Sequence, residues 1–174
     1  IITNSLAASD ILDIEVIKIR NSYVPYAEFC QRNPHECDLS GPTIISHSSD
    51  LLETLNAVSN QVNNDIKFIV DKEQYNKEEF WTYPSTGYGD CEDNALEKRR
   101  KLVLMGFPRG ALRMATAFHS SKYYGHALLL VETSKGTYVL DQDHDEVLLW
   151  HKTPYIFEAR ELPSGKWQRF DQLW

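Results

Sequence analysis

Apolar positions along this chain follow two different periods. Up to about Met105 they recur every three or four residues; beyond that point they alternate. Between Ser9 and Arg20, Ile11, Ile14, Val16 and Ile17 fall on one stripe, which predicts a helix. Tyr26 to Gln31 reads as a short second helix ended by Pro34. Leu51, Leu55, Val58 and Val62 share a face between Asp50 and Asp65 and predict a third, with Ile66 to Val70 continuing it. Lys72 to Glu79 reads as a polar connection. The segment Tyr83 to Asp90 holds Pro84, Gly87 and Gly89 and reads as a loop. A helix follows from Cys91 to Met105, with Ala95, Leu96, Leu102 and Val103 inward, Gly106 closing it and Pro108 just beyond.

The alternating half predicts strands at Ala111 to Phe118, His126 to Glu132 and Thr137 to Leu140, the last two joined across Ser134-Lys135-Gly136 as a hairpin. Val147 to Trp150, Ile156 to Arg160 and Trp167 to Phe170 add further candidates. Helices first and an antiparallel sheet afterwards make an α+β domain. The expected organisation is a single domain over residues 1–174: a helical part at 1–80, a helix at 91–105 and a sheet at 111–170.

Length agrees, since 174 residues suit one core. A net charge of -7 argues against wholesale nucleic-acid binding, which needs a basic face. The one basic run, Lys98-Arg99-Arg100-Lys101, lies inside the helical pattern and reads as a solvated helix face. No apolar run approaches the roughly 20 residues that span a bilayer.

The three cysteines narrow the chemistry. Cys30 and Cys37 bracket a short Pro-containing loop that a disulfide could close in an exported protein; in the cytosol they would be two reduced thiols. Cys91 is then left over, in the first turn of a helix after a glycine-containing loop. There the helix dipole favours thiolate, and a free backbone amide can face an oxyanion. His126 heads the apolar strand Gly125-His-Ala-Leu-Leu-Leu-Val, and the hairpin returns Asp141 to Asp143 toward it. Those residues offer a base and an orienting acid for a nucleophilic Cys91. Asp90, Glu92 and Asp93 surround the thiol and should raise its pKa, so a cation at these carboxylates, calcium by their chemistry, would remove the conflict. The acidic run Asp141 to Glu146 lacks the glycine and distal Glu of an EF-hand and reads as a turn.

Trp81-x-x-Pro84, Gly89-Asp-Cys-Glu-Asp93, Gly106-Phe-Pro108, His126 before an aliphatic strand and Leu140-Asp141 together resemble the bacterial transglutaminase-like cysteine proteinases of LapG type, and the Cys30…Cys37 segment fits as well. The resemblance covers about Cys30 to Leu148. It implies a papain-like fold in its transglutaminase-type form. It also implies a triad of Cys91, His126 and Asp141, with Asp143 the runner-up acid, and calcium at Asp90, Glu92 and Asp93. Members of the family are periplasmic; they cleave the N-terminal region of a large surface adhesin, so release it and disperse biofilm, and an inner-membrane cyclic di-GMP receptor sequesters them. An export signal is accordingly expected to have been removed from this chain. Here Gln142 stands where the family usually has Asn, and Ser85-Thr86 lack a Glu that often follows the Pro. The Cys91 amide would supply one oxyanion donor, and Trp81 or Tyr88 a second. Other functions open to the same trio are a transglutaminase or a cell-wall amidase; a non-catalytic calcium-dependent binding module is the alternative outside enzymes.

Overall fold

A computed structural model describes residues 9–170; the outermost parts of the expected 1–174 domain lie outside those residues. Its centre is an antiparallel seven-stranded sheet. In chain order the sheet strands are β1 (Val16–Arg20), β4 (Leu112–His119), β5 (Gly125–Thr133), β6 (Gly136–Leu140), β7 (Leu148–Leu149), β8 (Tyr155–Glu161) and β9 (Trp167–Phe170), laid side by side as β1-β9-β8-β4-β5-β6-β7. A separate two-stranded parallel ribbon joins β2 (Lys67–Phe68) to β3 (Tyr88–Gly89).

The hairpin between β5 and β6 forms as expected, with Thr133 opposite Gly136. Gly136 has φ +152, and a Cβ there would meet Leu149 Cδ2 at 2.5 Å, so only glycine fits. β5 lies between β4 and β6 and is buried from His126 to Thr133. Ala127, Leu129 and Val131 face a core shared with the helices, whereas Leu128 and Leu130 face a second core with Tyr155, Phe157 and Phe170. Side chains alternate between the two cores, so the strand reads as a continuous apolar run, Ala127 to Val131, and not as apolar-polar alternation.

The helices α1 (Val24–Arg32), α2 (Ser49–Asp65), α3 (Asp71–Tyr75) and α4 (Cys91–Leu104) precede the sheet core. Ser48 caps α2 by accepting the Leu51 N–H, and the expected stripe of Leu51, Leu55, Val58 and Val62 is buried. α4 packs on β5 and under α2. It ends as the sequence suggests: Gly106 is left-handed at φ +97, and the Phe107 N–H returns to the Leu102 carbonyl. The disulfide is present, joining Cys30 at the end of α1 to Cys37 in the following 3-10 turn.

Four local expectations change. Residues 9–20 are not helical: Val16–Arg20 is an edge strand on β9, with Ile17 51% exposed, and only Leu12 of the segment is buried. Its branched side chains suit a strand, and long-range pairing overrides the helical spacing. Ile66 to Val70 does not extend α2; Ile66 is its cap, and Lys67 and Phe68 pair with Tyr88 and Gly89. The polar connection begins with α3 instead of being loop throughout. Val147 to Trp150 supplies only the two residues of β7 before a 3-10 turn.

The basic run is the larger correction. Lys98 and Arg99 are buried, not solvated. Arg99 donates to Glu161 (2.6 Å) and to the Tyr26 hydroxyl (3.0 Å), and Glu161 also accepts from Tyr26 (2.6 Å) and the Met114 N–H (2.7 Å). A charge buried between α1 and β8 is tolerated because Glu161 pairs with it and the Tyr26 hydroxyl accepts from it.

Candidate active site

Cys91 is the first residue of α4 and the one free cysteine among the described residues. The N-cap, Asp90, makes no side-chain capping bond, so the first-turn amides keep their donor capacity at the helix's positive end. The Cys91 thiol donates to Glu92 Oε2 at 3.2 Å, and the Ala127 N–H points to Cys91 Sγ at 3.4 Å. That second contact sets the thiol beside the start of β5, next to His126. Burial first, and then the negative charge of Glu92, push the Cys91 thiol well above its ordinary pKa.

His126 and Asp141 form a buried pair, Nε2 to Oδ1 at 2.7 Å. The Tyr155 hydroxyl donates to the other oxygen, Oδ2, at 2.6 Å, and the Asp143 N–H donates to Oδ1 at 3.0 Å. The Tyr155 ring stacks on the imidazole, with centroids 5.2 Å apart. Burial alone would raise the Asp141 pKa; the His126 bond and charge, the Tyr155 hydroxyl and the Asp143 amide outweigh it and hold the carboxyl below its ordinary value. Asp143 is exposed and its carboxylate accepts the Tyr124 hydroxyl at 2.7 Å; a carboxylate oxygen of it lies within 4.8 Å of the His126–Asp141 pair, but the short bond to the imidazole is that of Asp141. Between the two acids, the structure brings Asp141 to His126. With Nε2 committed to Asp141, Nδ1 is the ring nitrogen left for the thiol proton.

The acids beside Cys91 are all buried. Carboxylate oxygens of Asp90 and Glu92 cluster with one from Asp71, all within 4.8 Å of one another. Asp93 is not one of those three, but the charges of Asp90 and Asp71 act on it; its Oδ1 accepts the Thr82 N–H at 2.8 Å. Asp71 Oδ1, Asp90 Oδ1 and Asp93 Oδ2 have no hydrogen-bond partner. Burial, reinforced by mutual repulsion, raises Glu92 and Asp90 above ordinary carboxylate values, and Asp93 is pushed up to about 8. Buried oxygen donors with unfilled lone pairs fit a hard divalent cation such as calcium.

Two cavities meet at the thiol. One, of about 390 Å³, is walled by Tyr23, Trp81, Thr116, Ala117, Ala127 and Glu158; the other, of about 660 Å³, includes Phe68, Val70, His119, Lys122 and Gln142; Cys91, Glu92 and His126 line both. Trp81 is buried and borders the first cavity, its indole N–H directed to Glu79 Oε2 at 3.4 Å. Tyr88 is exposed on β3 and lines neither cavity.

The family model for bacterial transglutaminase-like cysteine proteinases (BTLCP) matches residues 17–173. The chain belongs to this family. It is therefore a cysteine proteinase of transglutaminase-like fold. Among solved structures it is similar to LapG of Legionella pneumophila in three forms. The calcium-bound form is 22% identical, with a TM-score of 0.55, over 68% of this chain and 74% of that one. A second structure is also 22% identical, at 0.54, over 84% and 81%. The EGTA-treated form is 21% identical, at 0.56, over 88% and 82%. At this identity the likeness is one of fold. No match is found among curated proteins.

In this cysteine proteinase several partners around the site were not legible beforehand. Asp71 is 20 residues from Cys91 in the sequence, brought in because α3 directly follows β2, and β2 pairs with β3 just before Cys91. Tyr155 sits at the start of a strand as an ordinary alternating apolar position. Only the register of β4 with β8, which pairs His119 with Tyr155 just as β4 and β5 pair Ala117 with His126, gathers these side chains at one end of the sheet.

Proposed function

We propose that this proteinase is a calcium-dependent periplasmic endopeptidase acting through Cys91, His126 and Asp141. Its substrate is the N-terminal region of a large surface adhesin, whose release controls biofilm attachment. An inner-membrane cyclic di-GMP receptor is its inhibitory partner. The observation that carries the catalytic part is the buried His126–Asp141 pair next to the thiol that the Ala127 amide contacts.

In this reading His126 takes the Cys91 proton through Nδ1, and Asp141 stabilises the imidazolium and holds its orientation. The thiolate attacks a peptide carbonyl to form a thioester, and the Cys91 amide at the head of α4 faces the oxyanion. Protonated His126 then delivers its proton to the leaving amine, and water hydrolyses the thioester. Trp81, at the wall of one cavity, is better placed than Tyr88 to give a second oxyanion donor, once its N–H leaves Glu79.

Asp71, Asp90, Glu92 and Asp93 would hold the calcium, which supplies positive charge against these carboxylates. The calcium-bound and EGTA-treated forms of Legionella LapG support the assignment of that ion. Engaging Glu92 in this way withdraws the acceptor that now competes with His126 for the thiol proton.

The test is incubation with an adhesin N-terminal fragment, with and without chelator, for wild type and Cys91→Ala. Cleavage that requires both calcium and Cys91, with new peptide N-termini, is expected. Cleavage by Cys91→Ala, or a cross-linked product instead of new termini, refutes the reading.

A further inference from the structure

We infer that Lys98, together with Asn63, is a positioning device for the catalytic acid: the two side chains clamp the backbone carbonyl of Asp141. The inference rests on the triad proposed above and extends it to residues that touch neither substrate nor thiol.

The β5–β6 ladder reaches Leu129 opposite Leu140 and stops there. Asp141 is the next residue, so no strand pairing fixes its main chain at the point where its carboxylate must meet His126. Its carbonyl is held otherwise. Lys98 Nζ donates to it at 2.7 Å, and Asn63 Nδ2 donates to it at 3.0 Å. Asn63 Nδ2 also reaches Asp145 Oδ1 at 3.3 Å, and Asn63 Oδ1 accepts from Asn94 Nδ2 at 3.2 Å. Asn94 and Lys98 both belong to α4, three and seven residues after Cys91, while Asn63 comes from the last turn of α2. One helix therefore carries the nucleophile and the anchor of the acid.

Lys98 is fully buried, and an ammonium there must offset its loss of hydration. A merely structural contact to one neutral carbonyl compensates it poorly. Burial pushes its pKa down to about 7, and the negative charges of Asp141, Asp145 and Asp143 offset only part of that. Its position is explained when the carbonyl it grips belongs to the residue whose side-chain angle decides the His126 bond. With the main chain clamped on one side, and Tyr155 and the Asp143 amide holding the carboxylate on the other, Asp141 has one orientation left. Losing the clamp lets Asp141 slide from His126, which weakens the imidazolium–thiolate pair without altering either cavity wall.

The experiment compares Lys98→Met, Lys98→Arg and Asn63→Ala with wild type in calcium. Three quantities are measured: kcat and KM on the adhesin N-terminal fragment, the pH dependence of Cys91 alkylation by iodoacetamide, and the melting temperature. Lys98→Met is expected to lower kcat by about tenfold or more while KM stays nearly constant, and to move the rise in alkylation to higher pH. Lys98→Arg should restore part of both. Asn63 is only half-buried, so Asn63→Ala should stay folded and shift alkylation in the same direction by less. If Lys98→Met does not fold, Asn63→Ala alone decides. Wild-type kcat and alkylation profile in the folded variants overturn the inference. Wild-type alkylation that is indifferent to His126→Ala would instead overturn the triad itself, so the two failures are distinguishable.

Discussion

Replacing Tyr155 by Phe removes one oxygen from the site and little else. The Phe ring can keep the stack on His126, which has centroids 5.2 Å apart and an interplanar angle of 25°. The 2.6 Å bond from the hydroxyl to Asp141 Oδ2 is lost, and the carboxylate is only 3% exposed, so water replaces the donor poorly. A hydrogen bond to a buried charge contributes about 1.5–3 kcal/mol. If all of it supports the imidazolium in the transition state, kcat should fall about 10- to 100-fold, at about 1.4 kcal/mol per decade. The Asp141 pKa, now held low partly by that hydroxyl, should rise. A carboxyl whose folded pKa is depressed stabilises the fold above its unfolded pKa and loses that contribution as pH falls through the folded value. In Tyr155→Phe the folded value lies closer to the unfolded one, so that contribution should be smaller and its loss should be complete at a higher pH than in wild type. The assay is kcat on the adhesin fragment across pH, with thermal melts over the acid range. A variant with wild-type kcat at every pH would show that the Tyr155 hydroxyl does not hold the acid, and the reasoning would fail.

Three further outcomes follow from the same structure. Chelated protein should melt at lower temperature as pH rises from 5 to 8: raised carboxyl pKa values, about 8 for Asp93, mean the native state holds more protons than the unfolded chain, so stability falls with pH, and the gain in melting temperature on adding calcium should grow over the same range. Gly89→Ala should weaken calcium binding at least tenfold by calorimetry, because its Cβ would lie 2.8 Å from Asp93 Cβ and 2.9 Å from Asp93 Oδ2; unchanged affinity would remove Asp93 from the ligand set. Cys30→Ser with Cys37→Ser, which opens a loop of sequence separation 7, should cost about 2 kcal/mol in denaturant unfolding with catalysis retained in the folded fraction, and reduction of wild type should reproduce the loss.

Much of this was legible in the chain, because the signals were local. The apolar run headed by His126, the Ser134-Lys135-Gly136 turn and the stop at Gly106 each follow from a few neighbouring residues, and they already place His126, Asp141 and Cys91 at a strand start, a strand end and a helix start. What could not be read depends on partners distant in sequence. Ile14, Val16 and Ile17 satisfy a helical stripe and a strand equally; β9, some 150 residues later, selects the strand. Lys98 and Arg99 look solvated until Asp141 and Glu161 are seen to meet them. Asp71 carries no mark of its own, because a lone acid becomes part of a cluster only when the ribbon folds its loop over α4.

From Glu92 to Arg99, α4 has no wet face, whereas most helices of a globular domain keep one side in water. Such a helix cannot fray from its solvent side. Its hydrogen-bonded amides, from Asn94 on, should exchange only when the whole domain opens, at the rate of global unfolding. The β2–β3 ribbon, two residues per strand with Lys67, Phe68 and Tyr88 exposed, sits at the opposite extreme and should exchange early. Cys91 should thus stand on the slowest-opening part of the molecule, separated by Asp90 alone from a ribbon that should open fastest.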